Sequence, residues 1–362
     1  LQGNKLPGRF AGLDEANFTI GELGFGAGLN FLNTCRLWCQ HAPVSARLHY
    51  VACELHPFKL ADLARLQQLF GELSYFSSAL LSLYPDHTSG VHQLELRYDA
   101  HCINLTLLYG DATTSLESYR RDQHFLVDAW FLDGFSPKAN AAMWQSTLFQ
   151  QLALLSHADT TATTYSVAGG VREALSAAGF SWEKQPGFAS KRHMLYATVT
   201  QAETKTVNPH TADLHERTVY IIGGGLAGCS TAYMLARSGW HVILIEREDE
   251  LAAQASSNPQ GVLHCKPATV DTPDNRFNLH AYLYAARFYR SLDLPASVWS
   301  ACGMLQLAHD HKMAKRFNTF AQNAMYAPDI IRVLDSAQAS ALCQFQVKQA
   351  ALYFPDAGWL SP

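Results

Sequence analysis

The chain is poor in charge: 16% of its 362 residues are Asp, Glu, Lys or Arg, while 48% are hydrophobic. An average soluble protein carries roughly 25% charged residues, so this composition excludes a long disordered tract. No run comes near the roughly 18 consecutive apolar residues that a spanning helix needs, and the opening Leu1-Gln2-Gly3-Asn4-Lys5 lacks the parts of a secretory signal. Among the eight cysteines there is no C-x-x-C pair, and the 16 histidines never fall at H-x-x-x-H or H-E-x-x-H spacing. Cys35 and Cys39 alone share a helical face, at most half a metal site, so no metal is expected. Scattered thiols suit a reducing compartment, and a cytoplasmic protein without a membrane partner is expected. There is no basic excess either: 27 basic against 31 acidic residues leave a net charge of −4, so a nucleic acid would have to be held by a local patch.

At about 150 residues per domain, the length corresponds to between two and three domains. Short β-branched or aromatic runs (Phe18-Thr19-Ile20, Leu48 to Val51, Ile103 to Tyr109, Leu126 to Leu132, Thr160 to Ser166) alternate with amphipathic stretches (Phe31 to Trp38, Phe58 to Phe70, Ala141 to Leu155, Val171 to Ala178). That alternation predicts βαβ units and a parallel sheet, closed by a hairpin of Phe180 to Lys184 and His193 to Val199. Residues 201–216 are polar and aperiodic, which predicts a linker between a first domain, 1–200, and a second α/β domain, 217–362.

Glu22-Leu23-Gly24-Phe25-Gly26-Ala27-Gly28 follows a strand and enters a helix, placing Gly24, Gly26 and Gly28 where the backbone must turn tightly against a ligand. Glu54 ends the next strand, where a carboxylate can accept hydrogen bonds from both ribose hydroxyls. Asp111 follows the strand Leu105 to Tyr109 and can accept an adenine amino hydrogen. This order suits S-adenosylmethionine better than NAD, whose pyrophosphate favours G-x-G-x-x-G; the alternative is that Glu54 and Asp111 only cap loops.

Asp128-Ala129-Trp130-Phe131-Leu132-Asp133-Gly134-Phe135-Ser136-Pro137 brings an apolar strand to a carboxylate, a glycine, a ring and a proline at the ligand edge of an open sheet. The arrangement resembles the Asp/Asn-Pro-Pro-aromatic signature of amino-methyltransferases. A primary amine, with a pKa near 10.4 for lysine, must be neutral to attack a sulfonium methyl. Asp133 is therefore the expected catalytic acid/base, with Phe135 beside the acceptor; the alternative is a helix cap. Asp128, inside the strand, has a structural role as its alternative. Lys184 to His193 holds Lys184, Lys191 and Arg192 with Phe188 among them, able to grip phosphate and stack a base, or simply to be a solvated surface.

Val219-Tyr220-Ile221-Ile222-Gly223-Gly224-Gly225-Leu226-Ala227-Gly228 is G-x-G-x-x-G at a strand-to-helix turn, with Gly223, Gly225 and Gly228 in the fingerprint positions. Glu246 ends the following strand 21 residues after Gly225, near the spacing of about 20 for an acid on a ribose 2′-hydroxyl. FAD and NAD both satisfy this. Ser256 and Asn258, small polar residues soon after the second strand, favour FAD.

With both glycine loops, the Asp133 segment and the Lys191-Arg192 stretch in this order, the chain resembles the family of bifunctional tRNA 5-methylaminomethyl-2-thiouridine biosynthesis proteins over nearly its whole length. The resemblance implies a Rossmann-like methyltransferase domain followed by an FAD-binding Rossmann-type oxidoreductase domain. It further implies that the second removes the carboxymethyl group of 5-carboxymethylaminomethyl uridine at the tRNA wobble position. The first would then methylate the exposed amine with Asp133 as acid/base. The other enzyme reading is a methyltransferase fused to an amino-acid-oxidase-like flavoprotein acting on a free small amine. Three segments depart from the family pattern: Gly187-Phe188-Ala189-Ser190 before Lys191, His157-Ala158-Asp159 where glycines are usual, and Gln254-Ala255-Ser256-Ser257-Asn258 at the flavin loop. The flavin domain is expected to be incomplete, stopping inside its substrate-binding insertion.

Overall fold

Runs of Ile, Val, Leu and aromatic residues that fill both sides of a strand belong in the middle of a covered sheet, and four of the five central strands of the first unit are such runs, the fifth being rich in Thr and Ala. The computed structural model describes all residues except 15–16, 86, 123–124, 133–141, 188–191, 201–217 and 324–325. It separates into two units, Leu1–Ala212 and Asp213–Pro362. The first contains α1 (Leu6–Ala11), β1 (Asn17–Leu23), α2 (Leu29–His41), β2 (Arg47–Glu54), α3 (Leu60–Gln67), α4 (Ser74–Leu83), β3 (Gly90–Tyr98), β4 (His101–Tyr109), α5 (Ala112–Asp122), β5 (Val127–Phe131), α6 (Ser146–Leu154), β6 (Ser156–Thr164), α7 (Gly169–Ala177), β7 (Phe180–Pro186) and β8 (His193–Val199). One eight-stranded sheet has the order β3-β4-β2-β1-β5-β6-β8-β7.

The five central strands, β4 through β6, are mutually parallel, as the sequence predicts. The sheet as a whole is mixed, which corrects the expectation of a parallel one. β3 pairs antiparallel with β4, and β7 and β8 form the expected hairpin antiparallel to β6. Two apolar layers cover the faces: Phe31, Leu32, Trp38, Leu63 and Leu80 on one side, and Leu116, Leu148, Phe149, Leu152 and Val171 on the other. Crossover helices on both faces are what parallel neighbours demand. The packing is close at the centre, where a Cβ on Gly21 would sit 2.2 Å from the Trp130 ring of the neighbouring β5.

Asp128 lies where β5 bulges against β6 between Val127 and Ala129. Its Oδ2 accepts the Thr19 N–H of β1 at 2.7 Å, and its Oδ1 lies 2.8 Å from His157 Nε2. His157 Nδ1 accepts the Asp159 N–H, so Nε2 is the nitrogen that donates to Asp128. The structural alternative for Asp128 therefore holds. The His157-Ala158-Asp159 departure has a physical use in the same contact, because His157 clasps β6 to β5 where glycines could not.

In the second unit, β9 (Thr218–Ile222), α8 (Leu226–Arg237) and β10 (His241–Ile245) make a βαβ unit with the two strands parallel. β11 (Gly261–Leu263), α9 (Pro273–Ser291), β12 (Trp299–Ser300), β13 (Met304–Leu307), α10 (His311–Asn323), β14 (Arg332–Leu334), α11 (Ser336–Cys343), β15 (Ala351–Phe354) and β16 (Gly358–Leu360) follow. They form two antiparallel sheets, β11-β16-β12 and β13-β15-β14, around a core of Leu279, Leu283, Phe317, Leu352 and Phe354. α9 begins with Thr272 accepting the Asn275 N–H and Pro273 in the first turn, a start signal legible in the sequence. The β9–β10 ribbon buries little: Ile222 is 88% and Tyr220 64% exposed.

Replacing Asp128 with Ala leaves the Thr19 N–H without its acceptor in a nearly buried strand. A loss of about 1–3 kcal/mol is expected, measured as a lower urea midpoint of the first unit with S-adenosylmethionine affinity retained. An unchanged midpoint would refute the clasp.

Candidate functional site

The carboxyl end of β2 stitches three strand ends together. Cys53 carbonyl oxygen accepts the N–H of Gly24 and of Phe25 at 3.0 and 3.1 Å, and the Glu54 carbonyl accepts the Gly110 N–H at 2.9 Å. The Glu54 side chain reaches into the glycine loop, where Oε2 accepts the Gly26 N–H at 2.8 Å while Oε1 accepts the His56 N–H at 2.8 Å. The loop itself turns with φ of +89°, +53° and +75° at Gly24, Gly26 and Gly28. Gly26 has no atom within 4 Å of where a Cβ would stand, so there it is the left-handed backbone that requires glycine. Gly28 caps α2.

These elements enclose a cavity of about 610 Å³ lined by Glu22, Gly24, Gly26, Glu54 and Asp111 together with Phe25, Leu55, Phe58 and Met143. That volume lies within the ordinary range for a small-molecule site. Glu22 is buried, its Oε1 accepting from Asn30 Nδ2 and its Oε2 from Tyr50 Oη, both at 2.8 Å. It fixes the first turn of α2 against β1 and β2. Asp111 Oδ1 accepts the N–H and the hydroxyl of Thr114, both at 3.0 Å, so the residue caps α5 as well as lining the cavity. A carboxylate has about four acceptor positions, so Glu54 keeps capacity for two hydroxyls beyond its two backbone bonds. Asn30, Tyr50, Leu55, Phe58 and Met143 were not among the site residues expected from the sequence. The period of β2, which puts Tyr50 and Glu54 on one face, and the place of Asn30 in the first turn of α2 were the available signals.

Cys53 also lines the cavity; burial, then the charges of Asp111, Glu54 and Glu22, push its thiol well above the ordinary range. Beside this cavity, Leu132 is buried at the end of β5, its N–H donating to the Thr163 carbonyl at 2.9 Å. Asp133 and Phe135, which come next, lie outside the described residues, as does Lys191. Arg192 is exposed at the base of the β7–β8 turn, its carbonyl accepting the Gly187 N–H.

The second glycine loop is built in the same way. Gly223, at φ +101°, donates its N–H to the Ile245 carbonyl, and Gly224 donates to Glu246 Oε2. Glu246 Oε1 accepts the N–H groups of Arg247 and Glu248 at 2.7 and 3.1 Å. Backbone donation, from Gly224 first and then Glu248 and Arg247, holds the Glu246 carboxyl below the usual carboxylate range. A Cβ on Gly228 would lie 1.8 Å from the Gly223 carbonyl oxygen, so only glycine lets α8 pack this close to the turn. Ser256 Oγ accepts the Leu226 N–H at 3.1 Å, placing the hydroxyl at the α8 N-terminus beside Gly225, where a pyrophosphate is expected. Asn258 Nδ2 reaches the Ala255 carbonyl within the same loop. Among the described residues no group of three His, Cys, Asp or Glu side chains could hold a metal ion, and no helix is long and apolar enough to cross a membrane.

Residues 71–200 match the family model described as S-adenosyl-L-methionine-dependent methyltransferase, and residues 218–362 match that of FAD dependent oxidoreductase. The first match begins after the glycine loop and Glu54, so their assignment rests on geometry. The tRNA 5-methylaminomethyl-2-thiouridine biosynthesis bifunctional protein MnmC of Hahella chejuensis is 40% identical over 364 residues, covering 100% of this chain and 56% of that protein. The protein of the same name from Chromobacterium violaceum is 41% identical over 369 residues, covering 100% and 55%. The chain thus spans about half the length of the curated relatives it matches. Among solved structures, MnmC2 from Aquifex aeolicus is similar over 58% of this chain and 61% of that one, at 18% identity and a TM-score of 0.41.

The cofactors are S-adenosylmethionine and FAD, and the residues present suit both. Changing Glu54 to Ala removes the loop anchor and a carboxylate from the cavity wall together, so S-adenosylmethionine affinity measured by calorimetry should fall at least about tenfold, equivalent to 1.4 kcal/mol. Unaltered affinity would exclude Glu54 from the site. Because the Glu246 carboxyl is depressed when folded, its loop-anchoring contribution is present above the ordinary carboxylate pKa and is lost as pH falls through the lower folded value. The Gly224–Glu246 tie should therefore persist at pH 5, with amide exchange at Gly224 rising only in more acid solution; exposure of that amide already at pH 5 would contradict the assignment. Residues 71–200 are thus similar to the S-adenosylmethionine-dependent methyltransferases and residues 218–362 to the FAD-dependent oxidoreductases, and along its full length the chain resembles the bifunctional MnmC proteins.

Proposed function

We infer that the chain takes part in building 5-methylaminomethyl-(2-thio)uridine at the wobble position of tRNA, with residues 1–200 as the methyltransferase domain, 201–216 as linker and 217–362 as oxidoreductase domain. The second domain removes the carboxymethyl group from 5-carboxymethylaminomethyl uridine, and the first methylates the 5-aminomethyl group that remains. The observation that carries this is the convergence of Glu22, Gly26, Glu54 and Asp111 on one cavity beside the end of β5, where Leu132 passes directly to Asp133. The names of the full-length relatives supply the substrate class.

In this reading S-adenosylmethionine supplies the methyl group on a sulfonium, and FAD supplies the hydride acceptor of the other reaction. Glu54 binds the ribose hydroxyls, Asp111 the adenine amine, and Glu22 keeps the loop and α2 in place. Asp133 orients the neutral acceptor amine and takes up its proton, Phe135 packs beside it, and Lys191 with Arg192 meets the RNA backbone. Gly223, Gly225, Gly228, Ser256 and Asn258 shape the flavin phosphate site, with Glu246 on the ribose. Eight cysteines, all free, support residence in a reducing cytoplasm.

Changing Asp133 to Ala should abolish methyl transfer to tRNA bearing 5-aminomethyl uridine while S-adenosylmethionine still binds; turnover within twofold of the parent would remove Asp133 from the mechanism. Mass spectrometry of wobble nucleosides reads the product directly. Methylation of free small amines with none on tRNA would favour the small-amine reading.

A further inference from the structure

We propose that Lys5, Tyr165, Met194 and Tyr196 form a stacking surface for an unpaired base of the RNA substrate, beside the acceptor edge of the first unit. The proposal rests on the tRNA reading above and adds to it a surface outside the cofactor cavity.

The placement follows from strand register. β6 and β8 pair through Thr163 with Tyr196 and Thr164 with Leu195. Residues directly opposite in an antiparallel pair share a face, and successive residues alternate. Leu195 faces the layer of Leu148, Phe149 and Val171. Thr163 faces the other way, toward the N-terminal segment, where a Cβ on Gly3 would meet both Met194 Cε and Thr163 Cγ2. Tyr165 follows directly, one residue past the last register pair of Thr164 with Leu195.

Tyr165 is 44% exposed at the carboxyl end of β6, the edge on which Leu132 leads into Asp133. Met194 and Tyr196 on the neighbouring β8 are half-buried. Lys5 Nζ stands 5.6 Å from the centroid of the Tyr196 ring, and Lys5 itself is held at φ +51°, a left-handed conformation costly for a residue with a Cβ. The segment is pinned in that geometry by buried Asn4, whose Nδ2 donates to the Trp130 carbonyl and to Thr163 Oγ1, both at 3.1 Å. Exposed Arg192 and His193 lie at the near end of β8; Glu183, the acid in register with Tyr196, is engaged by Gln185 Nε2.

An exposed ring, a polarizable thioether and a fixed cation along one edge suit a splayed base and its phosphate better than a duplex, because an RNA helix offers no free base face. A free small amine has no use for such a surface, which lies outside the walls of the cofactor cavity.

The experiment is steady-state methylation of tRNA carrying 5-aminomethyl uridine by the full chain and its variants. Tyr165→Ala should raise KM for tRNA about tenfold, within the range reported by removing one base-stacking ring, with kcat changed far less and S-adenosylmethionine affinity kept. Tyr165→Phe, which keeps the ring face, should restore KM to within about twofold. Lys5→Gln should lower the slope of log affinity against log salt by about one. A parent KM in Tyr165→Ala, or a Tyr165→Phe as weak as the Ala variant, overturns the stacking surface while leaving the tRNA reading intact. A parent chain that methylates free amines but no tRNA overturns the reading itself.

Discussion

In both units a glutamate at the end of the second strand accepts the N–H of the glycine loop that follows the first: Glu54 from Gly26, and Glu246 from Gly224. Everything else about the two cofactor sites depends on this bond. The glycines of such a loop have no side chains to pack, so their turns must be held through the backbone. A carboxylate supplies strong acceptors and, placed at a strand end, is itself fixed by the sheet. The same side chain that shapes the loop is in the first unit also part of the cavity wall, so the shape of the turn and the lining of the cavity share one residue. It follows that neither glutamate can be lost in a merely local way.

The units differ in how much packing stands behind that bond. In the first, β1 and β2 lie in the middle of an eight-stranded sheet with apolar layers on both faces, and Glu22, Asn30 and Tyr50 brace the loop from within. In the second, the loop spans a two-stranded ribbon and is braced by Ser256 at the α8 N-terminus and by the close approach of Gly228.

Much of this was legible in the sequence because the signals were local. G-x-G-x-x-G between a strand and a helix, with Glu246 at the end of the next strand, leaves little freedom for another arrangement, and the same holds for Gly24 to Gly28 with Glu54. The polar stretch after Thr200 likewise pointed to a division of the chain. What was not legible was set by distant partners. β3 was overlooked although Leu94, Leu96 and Tyr98 alternate inward, because an antiparallel edge strand interrupts the expected βαβ rhythm and makes the sheet mixed. Asp128 could be placed only once its Thr19 and His157 partners, 109 and 29 residues away, were in view. The capping and cofactor readings of Asp111 turned out not to exclude each other, since one carboxylate oxygen can hold α5 while the residue still lines the cavity.

The raised thiol of Cys53 has a consequence for chemical self-restraint. A sulfonium methyl donor is an alkylating agent toward any competent nucleophile within reach, and a thiolate is a better nucleophile than an amine. Cys53 forms part of the wall of the cavity, yet burial and three surrounding carboxylates keep it protonated at neutral pH. Burial first, and then the carboxylates that line the cavity, thus silence the neighbouring sulfur, so that a methyl donor seated there would be left to an acceptor brought in from outside.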